Sequence, residues 1–370
     1  MSEHRQELDP APTTQPRDES AAPPEAANQR RADSPEIAER LYGLIREVGG
    51  DPESFDGRLI RELLTAGLKL IPDGRETGEL KLMTAALKEL RYAHRVFGQY
   101  PTAMKVTIFG SARTPPEHPD YAAAVTFGRL MAEAGWMSIT GAGDGIMKAG
   151  HEGPGRAASF GVAIRLPFET TANTVIAGDE KLIHFRYFFT RKLMFLSQCD
   201  AVALFPGGFG TMDEAFETLT LVQTGKASML PIVLVEGEGN GYWEEWIRFS
   251  HDALLTRGLI SPEDRHLFYL ARDPADAVEH ICRFYRNYHS SRYFRDELII
   301  RLRHRLRDAD VERLADEFGM LIKSGTMVQR AALEIEEDHL DLPRLVFTHT
   351  RRNFGLVRLL IDRINECEPA

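Results

Sequence analysis

The sequence predicts an α/β fold built around a doubly wound parallel sheet. Between residues 104 and 235, short and near-continuous apolar runs alternate with stretches of helical period. That is the pattern of strands buried on both faces of a parallel sheet and joined by crossover helices. Three of the runs end in glycine-rich turns. The segments on either side lack the alternation, so the reading is a Rossmann-like doubly wound parallel sheet with an N-terminal helical flank and a small C-terminal α+β appendage.

In order, residues 1–34 are rich in Pro, Ala, Glu, Gln and Arg, lack the apolar core of a signal peptide, and read as a disordered tail. Residues 35–100 read as a helical flank. Ile37, Leu41, Leu44 and Ile45 recur at helical spacing, as do Leu63, Leu64, Leu68 and Leu70, and the apolar run 80–90 leads to Tyr92, Phe97 and Tyr100. Within a central domain at 101–260, strands are expected at 104–109, 136–140, 161–166, 182–185, 201–205 and 231–235. Helices are expected at 121–134, up to about 151, at 187–198 and at 211–224. The appendage, 261–370, reads as helix 275–288, strand 298–302, helix 311–322, strand-like runs 326–333 and 344–349, and helix 354–365.

Composition narrows the function. Lys and Arg total 45 against 55 Asp and Glu, a formal net charge of −10, so no global basic field exists to hold a nucleic-acid backbone. No run approaches the roughly 20 apolar residues of a membrane span. Cys199, Cys282 and Cys367 are scattered singly, which argues against a disulfide framework or a cysteine-rich zinc site and fits a reducing, cytoplasmic setting. His118, His151 and His184 show no ligand spacing and read as structural. No metal site is expected.

The chemistry is expected at the glycine turns, which the pattern places together at the carboxyl edge of the sheet, where doubly wound folds bind ligands. The sharpest is Phe205-Pro-Gly-Gly-Phe-Gly-Thr-Met-Asp-Glu214. Gly207, Gly208 and Gly210 let backbone N–H groups crowd toward an oxyanion at a helix N-terminus, and Thr211 either caps that helix or donates its hydroxyl to the same phosphate. Thr211 with Glu214 also reads as a capping box. The turn Gly141-Ala142-Gly143-Asp144-Gly145 is not a P-loop, since no Gly-Lys-Ser/Thr follows. Its Gly141, Gly143 and Gly145, with Gly110 and Ser111 after the first strand, are candidate nucleotide contacts by topology. Arg191 and Lys192 lie in a largely apolar helix, where adjacent cations meet an anion or snorkel. Arg191 suits a phosphate or ribose hydroxyls, and Lys192 either a ligand or Asp200.

With those residues in place, the stretch from about 104 to 246 resembles the Lonely Guy (LOG) family, long labelled lysine decarboxylases, whose members act as cytokinin riboside 5′-monophosphate or purine nucleotide phosphoribohydrolases. The PGGxGTxxE pattern is matched by Pro206, Gly207, Gly208, Gly210, Thr211 and Glu214, and the upstream Arg-Lys pair by Arg191 and Lys192. Residues 187–192 and 221–225 look like the longer bacterial branch. The resemblance implies that Arg191 and Glu214 are catalytic, that the glycine turn with Thr211 holds phosphate, and that the substrate is a nucleoside 5′-monophosphate of the AMP or cytokinin riboside type. It implies no metal or organic cofactor and a homodimer or larger homo-oligomer. The second family turn, usually a GGG run, departs here at Ala142 and Asp144, and Lys148 stands where many relatives carry an acidic residue. Those departures keep alive a non-hydrolytic nucleotide sensor or small-ligand carrier, such as a molybdenum cofactor carrier. A DNA-processing role is disfavoured by the acidic balance, and a decarboxylase role by the lack of a lysine in a pyridoxal-phosphate setting.

Overall fold

The computed structural model describes residues 31–165, 172–239, 241–333, 336 and 338–370. Most of the expected tail (1–30) and Leu166, the last residue of the expected third strand, lie outside them. The chain divides into two compact units, one ending at Ala85 and the other running Ala86–Ala370.

The first unit holds α1 (Pro35–Glu47), α2 (Phe55–Lys69) and the start of α3 (Thr77–Phe97). Local chemistry sets the helix starts. Ser34 accepts the Ile37 amide at 3.3 Å with Pro35 opening the helix, and Ser54 accepts the Gly57 amide at 3.0 Å.

The second unit contains β1 (Lys105–Phe109), α4 (Pro119–Glu133), β2 (Met137–Thr140), α5 (Ile146–Glu152), β3 (Ser159–Ile164), β4 (Leu182–Phe185), α6 (Phe188–Ser197), β5 (Ala201–Leu204), α7 (Phe209–Gln223), β6 (Ile232–Leu234), α8 (Tyr242–Phe249) and β7 (Tyr269–Leu270). The seven strands form one parallel sheet in the order β4-β3-β2-β1-β5-β6-β7. Val106 and Ile108 of β1 pack with Phe127 and Met131 of α4 on one face, while Phe109 packs with Phe195 of α6 on the other. Burial on both faces is why these strands read as continuous apolar runs. The strand order reverses between β1 and β5, so the crevice expected in a doubly wound sheet opens there.

Beyond lie α9 (Pro274–Phe284), β8 (Tyr288–Phe294), β9 (Glu297–Leu302), α10 (Asp308–Glu317), β10 (Ile322–Arg330), β11 (Arg344–His349) and α11 (Phe354–Glu366). Here an antiparallel sheet runs β10-β11-β9-β8, and its Leu298, Ile300, Leu345 and Phe347 share a core layer with Phe109 and Leu204 of the parallel sheet.

The structure corrects two boundaries. The helix expected to reach 288 ends at Phe284, and Tyr288 opens β8, an edge strand whose His289-Ser-Ser-Arg292 centre carries no apolar run. The helix expected to reach 322 ends at Glu317, and Ile322 begins β10. The helix α8 and the short edge strand β7 had no expected counterpart. No described helix is long and apolar enough to cross a membrane.

Candidate active site

The site forms where the turns after β1, β2 and β5 meet. The ladder between β1 and β5 continues past the strand ends: Phe205 N–H donates to Phe109 O at 2.8 Å and Ser111 N–H to Pro206 O at 3.1 Å. This zips the first turn onto the third. Gly145 fastens the second turn in place. It sits at φ +60°, and a Cβ there would lie 2.3 Å from Ser111 O, while the next amide, Ile146 N–H, donates to that carbonyl at 3.0 Å. Below the second turn, His151 is fully buried, and burial pushes its imidazole below the usual histidine range. Its Nε2 lies 3.0 Å from both Thr140 Oγ1 and Phe160 O, and Nδ1 faces Asn173, whose Nδ2 donates to Gly143 O at 3.0 Å. His151 is thus a neutral buttress. Ala142 takes φ +63°, a conformation that glycine would hold without strain.

The third turn is the tightest. A Cβ on Gly207 would fall 2.1 Å from Thr211 Oγ1 and 3.0 Å from Ser111 N, so only glycine allows this approach. Tyr242 from α8 donates its hydroxyl to Gly207 O at 2.5 Å and braces the turn from outside. Gly208 is the N-cap of α7, with no side-chain cap bond. The expected capping by Thr211, and the Thr211–Glu214 capping box, are therefore corrected: both residues lie inside the helix, because it starts two residues before Thr211. The first-turn amides of α7 have no intrahelical acceptor.

These turns enclose a cavity of about 920 Å³, the size of a small-molecule site. Gly110, Ser111, Gly141, Gly207, Gly208, Gly210, Thr211, Arg191 and Glu214 line it. Gly143, Gly145 and Lys192 do not. Asp144 is exposed and lies outside the cavity wall, and Lys148 pairs with Glu152 at 3.6 Å.

Arg191 reaches the cavity from α6. Its Nε donates to Val162 O at 2.9 Å, its guanidinium stacks over the Phe195 ring at 5.0 Å, and its Nη2 lies beside Gly141. Glu214, only 6% exposed, presents a buried Oε2 with no hydrogen-bond partner. Burial pushes its carboxyl up to about 7, opposed by the nearby Lys192 cation and reinforced by the Glu217 carboxylate. Lys192 goes to neither a ligand wall nor Asp200. It pairs with Asp213 at 2.7 Å and Glu217 at 2.5 Å, and stands 3.9 Å from Glu214 Oε2.

Residues 141–281 match the family model described as "Possible lysine decarboxylase". The chain is 31% identical over 114 residues to a probable cytokinin riboside 5′-monophosphate phosphoribohydrolase of Oryza sativa subsp. japonica, covering 31% of this chain and 43% of that protein. Against a cytokinin riboside 5′-monophosphate phosphoribohydrolase of Arabidopsis thaliana it is 32% identical, covering 31% of this chain and 50% of that protein. Over these stretches the chain is similar to proteins of the Lonely Guy family. It spans about half or less of the length of these curated Lonely Guy relatives. The molybdenum cofactor carrier protein of Chlamydomonas reinhardtii aligns with 49% of this chain and 97% of its own at 19% identity, with a TM-score of 0.34, too low to bear on function.

Sequence reasoning missed the apolar wall: Phe109, Met147, Phe188, Phe195, Phe209 and Met212 also line the cavity, as do Arg113 and Asp213. One signal was available. Phe188, Arg191 and Phe195 lie three and seven residues apart, so they share one face of α6.

Proposed function

We propose that the chain hydrolyses the N-glycosidic bond of a nucleoside 5′-monophosphate, of the AMP or cytokinin riboside type, to a free base and ribose 5-phosphate. The observation that carries this reading is Glu214, a nearly buried carboxylate whose Oε2 has no hydrogen-bond partner, among the residues lining a cavity that also includes the start of the α7 helix. Phosphate takes the amides of residues 207–210 and the Thr211 hydroxyl. Arg191 fixes the nucleotide. Water attacks C1′ and gives its proton to ionised Glu214, while the C–N bonding pair leaves with the base, whose nitrogen takes up a proton from solvent as Glu214 returns its own to solvent. The carboxylate also stabilises the oxocarbenium-like transition state, and phosphate binding far from the reacting bond supplies orientation. No metal or organic cofactor enters this scheme. The activities named for the curated relatives support it, as does a cavity of nucleotide size. We also propose a homo-oligomer in a reducing, cytoplasmic setting, where its three free cysteines would persist.

Incubating the purified chain with a panel of nucleoside 5′-monophosphates is expected to release base and ribose 5-phosphate in equal amounts, followed by chromatography. Nucleosides without phosphate should turn over at least about a hundredfold more slowly. Silence across the panel, with nucleotide still bound, would overturn the reading. Gly207→Ala should weaken nucleotide binding by about tenfold or more by titration calorimetry, since the new methyl collides with Thr211 and Ser111. Unchanged affinity would place the phosphate elsewhere.

A further inference from the structure

We propose that Lys192 is a positioning residue that sets the ionisation of Glu214, held in place for that task by Asp213 and Glu217, and is not a ligand for the substrate. This deepens the hydrolase reading and rests on it for the role of Glu214, but the geometry stands by itself. Lys192 projects from α6 and does not line the cavity. Its side chain is 16% exposed, and its Nζ is bonded to Oδ2 of Asp213 and Oε2 of Glu217, which flank Glu214 on α7. Asp213 and Glu217 thereby steer the ammonium to 3.9 Å from the buried Oε2 of Glu214. That separation is longer than a hydrogen bond and within the reach of a strong coulombic interaction.

The division of labour follows. A direct Lys–Glu hydrogen bond would fix the carboxylate oxygen and lower its basicity. An unopposed carboxyl, buried beside two acidic neighbours, would stay protonated at neutral pH. A cation shared with Asp213 and Glu217 lies between these extremes: it favours the ionised form without taking up the hydrogen-bonding capacity of Oε2. The charged groups around Glu214 are Asp213 and Glu217 on α7, Lys192 and Arg191 on α6, and Arg113, which lines the same cavity from the turn after β1. Burial alone would lower the Lys192 ammonium, but the Asp213 and Glu217 carboxylates hold it above the usual lysine range, so it stays charged across the working range.

The test reads Glu214 directly and needs no turnover. In protein carrying glutamate labelled with carbon-13 at the side-chain carboxyl, the resonance lost in Glu214→Gln assigns Glu214, and its titration is followed by NMR. Lys192→Met should raise the midpoint by about one pH unit or more, and Lys192→Arg should hold it near wild type. In a background carrying Asp213→Asn and Glu217→Gln the ammonium loses its anchors, and Lys192→Met should then shift the midpoint less than it does in the wild-type background. A midpoint that stays put in Lys192→Met would overturn the proposal, and Lys192→Gln, which keeps a polar side chain of similar reach, decides it by the same criterion if Lys192→Met does not fold. Where base release is measurable, the acid limb of kcat/KM should move in parallel, whereas a purely structural lysine would lower the rate at every pH alike. A chain that releases no base, yet shows these shifts, would refute the hydrolase reading and leave this one standing.

Discussion

Replacing Glu214 by glutamine is expected to reduce base release from a nucleoside 5′-monophosphate by about three orders of magnitude, with the nucleotide Kd changed by less than about threefold. Glutamine keeps the shape of the side chain but removes both the negative charge facing the developing oxocarbenium ion and the acceptor for the water proton. Removing a general base or one electrostatic contact to a transition state costs about 10²–10⁴ in rate, and here one group serves both purposes. Binding should survive because the phosphate is assigned to the 207–210 amides and Thr211, which lie earlier on the same turn and helix. Since the Glu214 carboxyl is pushed up to about 7, wild-type kcat/KM should climb as pH rises through that value and then level off. The residual rate of the variant should lack this limb. Single-turnover base release and calorimetric titration, run on both proteins, separate the two effects. A variant retaining activity within about tenfold of wild type would remove Glu214 from the chemistry.

The readable parts of this molecule are those fixed by local chemistry. β1, β2 and β5 are buried throughout, so their sequences carry an apolar run that little else produces. The glycine turns announce themselves because Gly207 has no room for a side chain. Glu214 was placed by its spacing from Thr211 within the turn motif. What stayed hidden depends on distant partners. Nothing near residue 192 foretells that its ammonium is held by Asp213 and Glu217, more than 20 positions away, and the sequence offered Asp200 as a partner equally well. Tyr242 braces Gly207 across 35 residues with no shared motif. The capping-box reading failed for a different reason: the rule assumes that the hydroxyl residue is the N-cap, and Gly208 took that place three positions earlier. β8 failed because an edge strand with polar residues at its centre does not need the apolar pattern that marks a central strand.

Glu214 should also make the wild-type chain less stable than its glutamine variant, by an amount that depends on pH. A carboxyl that titrates at its ordinary 4.5 when unfolded, and at about 7 when folded, binds more protons in the folded state between those values. Stability therefore falls as pH rises from 4.5 to 7. Below 4.5 both states are protonated and no penalty exists; above about 7 it is present in full. A shift of this size corresponds to about 3 kcal/mol, or about 5 °C or more in Tm for a unit of this length. Glutamine mimics the neutral acid, so Glu214→Gln should unfold near the wild-type temperature at pH 5 and distinctly above it at pH 8, followed by calorimetry at matched ionic strength. An advantage of equal size at both values would mean that the carboxyl is not held out of its ordinary range. The expected pattern, a gain in stability confined to the pH range where the carboxylate is needed ionised, follows from burying a charge that folding does not want at a position where the proposed chemistry does.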